Sequence, residues 1–281
     1  MDDTITATYF VRDEFSKATG LRDDPQSRMT AAEVMCVALV ASASFSGNIE
    51  RARPFLYEYG YMKTMLSKSR LNRRPHGIEP SLWEALFSLL AEVFKERDGA
   101  GGGSERNYVV DSLPVPVCDN IRIRRCRIYP LEEHGKAFRG YIPSKRRYFY
   151  GLRVHLLASG AGEPVEFSLA AGSEADVSVF KDLSLELPEG SAIHADKGYT
   201  DHGHEDFLRD VGVRTGTQSK KNSKRPTPMW EEFLGKPVRQ YIETVFSGLS
   251  RLFSGRIHAV TPRGFELKIV CFLLAFSIQC L

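Results

Sequence analysis

Cysteine is scarce and unpatterned in this chain of 281 residues: five, at positions 36, 118, 126, 271 and 280, with no CxxC pair. An odd, scattered set excludes a disulfide scaffold and fits free thiols in a reducing compartment. Cys118, Cys126 and His134 are spaced too loosely for a zinc ribbon. Long hydrophobic runs are missing as well. The apolar stretch 269–281 is shorter than the roughly 20 residues a bilayer needs and reads as a buried closing helix. The N-terminus, Met-Asp-Asp, is acidic and has no apolar segment behind it, so no secretory signal is expected. No internal repeat is visible. The chain is expected to be soluble and intracellular, with no membrane partner.

Charge of one sign is also modest overall, at +3, but it is unevenly placed. Between Ile121 and Arg153 stand ten Lys/Arg against Glu132 and Glu133, a local +8 that leaves −5 for the rest. A second basic cluster, 67–76 (SKSRLNRRPH), and a third, 218–225 (QSKKNSKR), carry four cations each and no acid. One such run is ordinarily a solvated surface; three point towards a polyanion, of which nucleic acid is the usual one.

What is present divides the chain. Residues 4–97 read as helical. Thr30 with Glu33 forms a capping box opening a helix to about Ser46, Asn48 caps the next to about Gly60, and Pro80 stands just inside a helix over 81–97. The basic stretch 67–76 connects the last two, so the block resembles a small DNA-binding module as much as a plain helical scaffold with an exposed loop. The run DGAGGGS, 98–104, cannot hold regular structure and marks a boundary. Strand patterns follow at 107–110, 148–158, 164–169, 191–195 and 213–217, with helices over 176–185, 205–211 and 238–253. Gly160–Gly162 reads as a hairpin turn. Tyr148, Phe149 and Tyr150 read as sheet core. A mixed α/β fold is expected, a mixed sheet flanked by helices behind a small all-helical domain. The divisions are 1–97, a glycine-rich linker 98–106, and 107–281.

Three carboxylates stand out. Asp111 and Asp196 each close a strand that reads as buried, where an ionised group is costly without something positive to hold it. Glu243 lies at the margin of the apolar face of helix 238–253, four residues after Arg239. Neighbouring carboxylates repel unless a proton or cation is shared, and magnesium, which prefers oxygen donors, relieves the repulsion. Singly, each has a plainer reading: Asp111 starting a turn before Pro114, Asp196 capping the turn into Lys197-Gly198, Glu243 pairing with Arg239 for about 0.3–0.5 kcal/mol. Together, with basic loops around them, they favour a two-ion site for phosphoryl chemistry.

The runs NYVVDSLPVPVCDN, GYIPSKRRYFYGLRVHLL, IHADKGYTD, RQYIETVFSGLSRLF and HAVTPRGFELKIVCFLLAF, in that order, resemble the DDE transposases of bacterial insertion sequences, nearest to the insertion-sequence 982 family. The resemblance spans about Asn107 to Gln279 and extends more weakly over the helices, including NRRPH. It implies a ribonuclease-H-like catalytic domain with Asp111, Asp196 and Glu243 as the metal-binding triad. In such a domain the two aspartates end the first and fourth strands. It implies two Mg2+ ions, with Mn2+ able to replace them. It also implies nicking of the element's ends and attack of the freed 3′-hydroxyl on target DNA. The implied partners are the terminal inverted repeats, target duplex DNA, and a second copy of the chain pairing two ends, in a bacterial or archaeal cytoplasm at the nucleoid. Arg239 would sit near the scissile phosphate. Lys145, Arg146, Arg147, Lys220, Lys221, Lys224, Arg225, Arg73 and Arg74 would hold DNA. The related insertion-sequence 4 group carries a Tyr-Arg-Glu-Lys signature; here Arg239 and Glu243 match, while Lys236 and Ser250 stand at the other two positions. A nuclease of the same fold without strand transfer, or a silent DNA-binding relic, are the alternative readings.

Overall fold

The computed structural model describes residues 2–20, 23–100, 106–118, 120–217, 225, 229–253 and 257–281. They fall into two compact units, residues 1–90 with 251–281, and 91–250.

The first unit is helical: α1 (Asp2–Thr19), α2 (Ala31–Ser44), α3 (Ile49–Glu58), α4 (Lys68–Gly77), the start of α5 (Pro80–Ala100), and, from the chain's end, the last helix, Pro262–Cys280. Thr30 makes the anticipated capping box with Glu33, and Asn48 accepts the amides of Glu50 and Arg51. Each satisfies donors that a helix start leaves open. Ten residues of α2 are buried, on all sides of the helix, which places it at the centre. The closing helix packs on α2, so it belongs with the N-terminal helices. Its Phe272 ring lies against Gly47, whose φ of +76° and lack of side chain both suit the contact.

Two expectations change here. The stretch 67–76 is a helix, α4, not a loop; Leu71 and Pro75 bury one face while Arg70, Asn72 and Arg73 stay exposed. Pro75 cannot donate to the Leu71 carbonyl, and the helix ends two residues after it. Likewise α5 continues through Ala100, three residues into the glycine-rich run, and 101–105 lie outside the described residues. No single helix among the described residues is long and apolar enough to cross a membrane; α2 and α3 pass that test only as a pair bent by 111°.

The second unit is built on six strands: β1 (Asn107–Cys118), β2 (Arg139–Ile142), β3 (Arg147–Ser159), β4 (Pro164–Ala171), β5 (Ala192–Ala195) and β6 (Arg214–Thr217). Its helices are the four-residue α6 (Leu131–His134), α7 (Asp176–Asp182), α8 (His202–Asp210) and α9 (Met229–Leu252); the closing helix is α10. β3 is long enough to share its outer edge, pairing β2 through 147–150 and β4 through 152–158. Its inner edge pairs β1 antiparallel; β1 then pairs β5, and β5 pairs β6, both parallel. The order β4-β3-β1-β5-β6, antiparallel on one side of β1 and parallel on the other, is ribonuclease-H-like. β3 and β4 join through the expected hairpin, with Gly162 at φ +86°.

One face of this sheet carries Tyr108, Val110, Leu157, Ile193 and Ala195 against Phe180, Leu183 and Leu208 of the α7 and α8 region. The other face buries Val109, Val154, Leu156 and Ala158. Aromatic placement differs from expectation at one position. Phe149 and Tyr150 are core, whereas Tyr148 is half exposed, opposite Tyr141 and beneath the Arg139 guanidinium, 4.4 Å from the ring centre. Tyr148 and Tyr150 share a face of the strand, so position along it separates them: the first two residues of β3, Arg147 and Tyr148, are exposed, and burial begins at Phe149.

Candidate active site

Asp111 does not end its strand. β1 runs seven residues further to Cys118 because β3 continues to pair with it on the antiparallel side. What ends at this level is the parallel side: the last β1–β5 pair is Val110 with Ala195. The carbonyl of Arg106 accepts from the Ala192 amide, so even-numbered residues of β1 turn their polar groups towards β5. Pro114 and Pro116 share that parity. Their missing amides fall where β5 has already stopped, which is how two prolines fit one strand.

The same register brings two acids together. Asp111 and Asp196 each follow one half of the last β1–β5 pair, and Asp196 keeps an extended conformation (φ −71°, ψ 163°). Neighbouring strands lie about 4.8 Å apart and paired residues share a face, so the two carboxylates stand side by side at the seam. Both are half-buried. Each directs one oxygen at the next backbone amide: Ser112 N–H to Asp111 Oδ1 at 2.7 Å, Lys197 N–H to Asp196 Oδ1 at 2.8 Å. These bonds orient the carboxylates, each holding one oxygen against the amide that follows it.

Glu243 is exposed on α9, between Tyr241 and Val245, which pack on Gly162 of the β3–β4 turn. Among the described residues, no three His, Cys, Asp or Glu side chains gather closely enough to hold a metal, so Asp111, Asp196 and Glu243 do not form a closed cluster.

The expected basic contacts divide. Lys145, Arg146 and Arg147 are exposed at the β2–β3 turn, with Arg146 left-handed at φ +48°. Arg225 makes a two-pronged pair with Asp206 of α8, at 2.8 and 3.0 Å. Arg73 is exposed on α4, whereas Arg74 spends its donors on Ser27 Oγ and the Met29 carbonyl and braces the loop before α2. Both line a groove of about 660 Å³ with Arg28 and Arg70, opposed by Asp23, Asp24 and Glu79. Lys220, Lys221 and Lys224 lie outside the described residues, as does the side chain of Arg239, whose backbone is one turn before Glu243 in α9.

A second polar group, not anticipated, lies on the reverse face of the sheet behind Asp111. Arg153 Nη1 donates to Ser112 Oγ (3.2 Å) and to Asp176 Oδ1 (3.3 Å), and Ser112 Oγ donates to the same Asp176 oxygen (3.2 Å). Beneath them His155 is fully buried, its Nδ1 3.1 Å from Tyr199 Oη. Burial drives its pKa down to about 4, with Asp176 opposing and Arg153 assisting. The Tyr199 hydroxyl is pushed well up by burial and then by Asp176 and Asp111. A signal existed in the sequence. Arg153 and His155 are two apart inside an otherwise apolar strand, so they share one face and both require partners there.

The sheet is ribonuclease-H-like, with Asp111 and Asp196 at the seam of its antiparallel and parallel halves. The family described as the transposase DDE domain matches residues 102–257, more than half of the sequence, and the chain belongs to it. No curated protein matches it. Among solved structures it is similar to a piggyBac transposase synaptic complex with hairpin DNA (10% identity, TM-score 0.49), over all of this chain and 72% of that one. It is also similar to the Drosophila P element transposase strand transfer complex (10%, TM-score 0.28; 74% and 45% covered). A third is the Mos1 transposase paired-end complex with left transposon end (10%, 0.25; 83% and 78%).

Proposed function

We propose that the chain is the transposase of a bacterial insertion sequence of the 982 type. It would bind the element's terminal repeats, nick them, and join the freed 3′-hydroxyl to target DNA. The observation that carries this is the register placing Asp111 beside Asp196 in a chain of the transposase DDE-domain family. The donor set suits magnesium: two half-buried carboxylates on one face, each with one oxygen already oriented by a backbone amide. Asp111, Asp196 and Glu243 would hold it. When bound, the ion supplies charge neutralisation at phosphorus and lowers the cost of forming an oxyanion nucleophile.

The chain's own residues do the rest by position and charge. The two aspartates, on the rigid seam of the sheet, would fix where the ion is held; as anions they repel a phosphate on their own. The Lys145–Arg147 turn, Arg239 and the basic residues 220–225 would bind backbone phosphates, an attraction that weakens steeply as salt rises. Residues 1–97 would recognise the element's ends, with Arg70, Asn72 and Arg73 on the exposed face of α4 of the types that read base edges. Residues 107–281 would carry catalysis, and two copies would pair two ends. Asp111→Asn or Asp196→Asn is expected to abolish magnesium-dependent nicking of end-containing duplexes while retention in a gel-shift assay persists. Undiminished nicking by either variant refutes the site. Joining of precut ends supports a transposase; cutting without joining would mean a nuclease.

A further inference from the structure

The residues that follow the two paired aspartates are both in reach of one side chain. Ser112, next to Asp111, points to the reverse face of β1 and there meets Asp176, the first residue of α7. Gly198, two residues past Asp196, backs onto the same carboxylate: a Cβ placed there would lie 3.1 Å from Asp176 Oδ2. Asp176 is itself held by Arg153, whose guanidinium also donates to the carbonyls of Tyr141 (2.9 Å) and Gly172 (3.3 Å). A guanidinium has five donors, more than one carboxylate can take; here those left over tie down β2, the residue after β4 and Ser112 at once.

From this arrangement we infer that Asp176 and Arg153 are positioning residues for the paired aspartates. They clamp Ser112, whose amide orients the Asp111 carboxylate, and Asp176 backs the turn that sets Asp196. The physical need is plain. Two adjacent carboxylates repel until a cation lies between them, and an unbraced pair would rotate apart. The clamp acts from the opposite side of the sheet, so it holds the acids without occupying the oxygens that would bind the ion. Hydrogen-bonded partners behind metal ligands typically contribute about 10- to 100-fold in metal affinity or rate.

The inference rests on the proposed metal role of Asp111 and Asp196, so Asp111→Asn serves as the reference variant. The full chain, free of DNA, is titrated with Mn2+ by calorimetry. Nicking is then measured against DNA concentration to separate kcat from KM. Asp176→Ala is expected to weaken Mn2+ binding about 10- to 100-fold and to lower kcat with KM for DNA unchanged. Asp176→Asn, whose amide oxygen still accepts from Ser112 and Arg153, should recover most of both. Ser112→Ala, which breaks only the arm to Asp111, should show a smaller loss in the same direction, and the double variant should be no worse than Asp176→Ala. Unchanged Mn2+ affinity in Asp176→Ala overturns the inference. So does an Asp176→Asn variant as deficient as Asp111→Asn, since that would make Asp176 a ligand. If Asp176→Ala fails to fold, Ser112→Ala, which removes a single hydroxyl, decides on the same readouts. Intact Mn2+ binding by Asp111→Asn is a different result and strikes the metal reading itself.

Discussion

His155 makes the stability of the sheet unit depend on pH in a direction the structure fixes. None of its surface is exposed, and burial holds its pKa near about 4, below the ordinary 6.5. As pH falls from 6.5, an unfolded chain takes up a proton that the folded chain refuses until about 4. Over that window the unfolded state binds more protons, so stability declines as pH declines. At about 1.4 kcal/mol per pH unit, a window of roughly 2.5 units amounts to about 3 kcal/mol. The perturbation is His155→Gln, which keeps a neutral polar group opposite the Tyr199 hydroxyl and removes the titration. Both proteins are unfolded in urea, followed by circular dichroism, at about pH 7 and about pH 4.5, where most of the penalty has accrued. Exposed carboxylates titrate alike in the two proteins and cancel. The variant should gain roughly 2–3 kcal/mol relative to the parent on acidification. A difference between the proteins that is the same at both pH values would refute the reasoning.

Two further outcomes follow from the helical unit. Thr30→Ala removes the hydroxyl that caps α2 at the Glu33 amide (3.1 Å) and should cost about 1 kcal/mol in denaturant unfolding. Cys36 and Cys271 are buried, and burial pushes both thiols up to about 12. In a thiol titration of native protein they should stay silent until denaturant is added, while the partly exposed Cys118, Cys126 and Cys280 react.

Much of the sheet unit was legible in the sequence because period-two patterning and turn residues are local signals. The hairpin at Gly160–Gly162 and the short strands before Asp196 and at 213–217 follow from neighbours in the chain, as do the caps at Thr30 and Asn48 in the helical unit. What escaped depends on distant pairing. The sequence pattern ends β1 at Asp111, with Pro114 as a turn signal; only the absence of β5 beyond Ala195 makes Pro114 and Pro116 tolerable inside the strand. α4 was read as a loop because four cations and a proline outweigh two buried residues in any local count. The clamp of Ser112, Arg153 and Asp176 joins three separate elements, and Asp176 offered no local sign beyond opening a helix.

The step in the sheet at Ala195 has a consequence for what may approach the aspartates. A strand that outruns its neighbour ordinarily presents a row of open amides, a template on which another strand can grow. On β1 that row is silenced position by position. The Ser112 amide is taken by Asp111 itself, and 114 and 116 are prolines with no hydrogen to give. The seam is thereby closed to β-augmentation and to edge-to-edge aggregation by way of those amides. A visitor to this ledge meets carbonyl and carboxylate acceptors, with no open amide at 112, 114 or 116 to hold it.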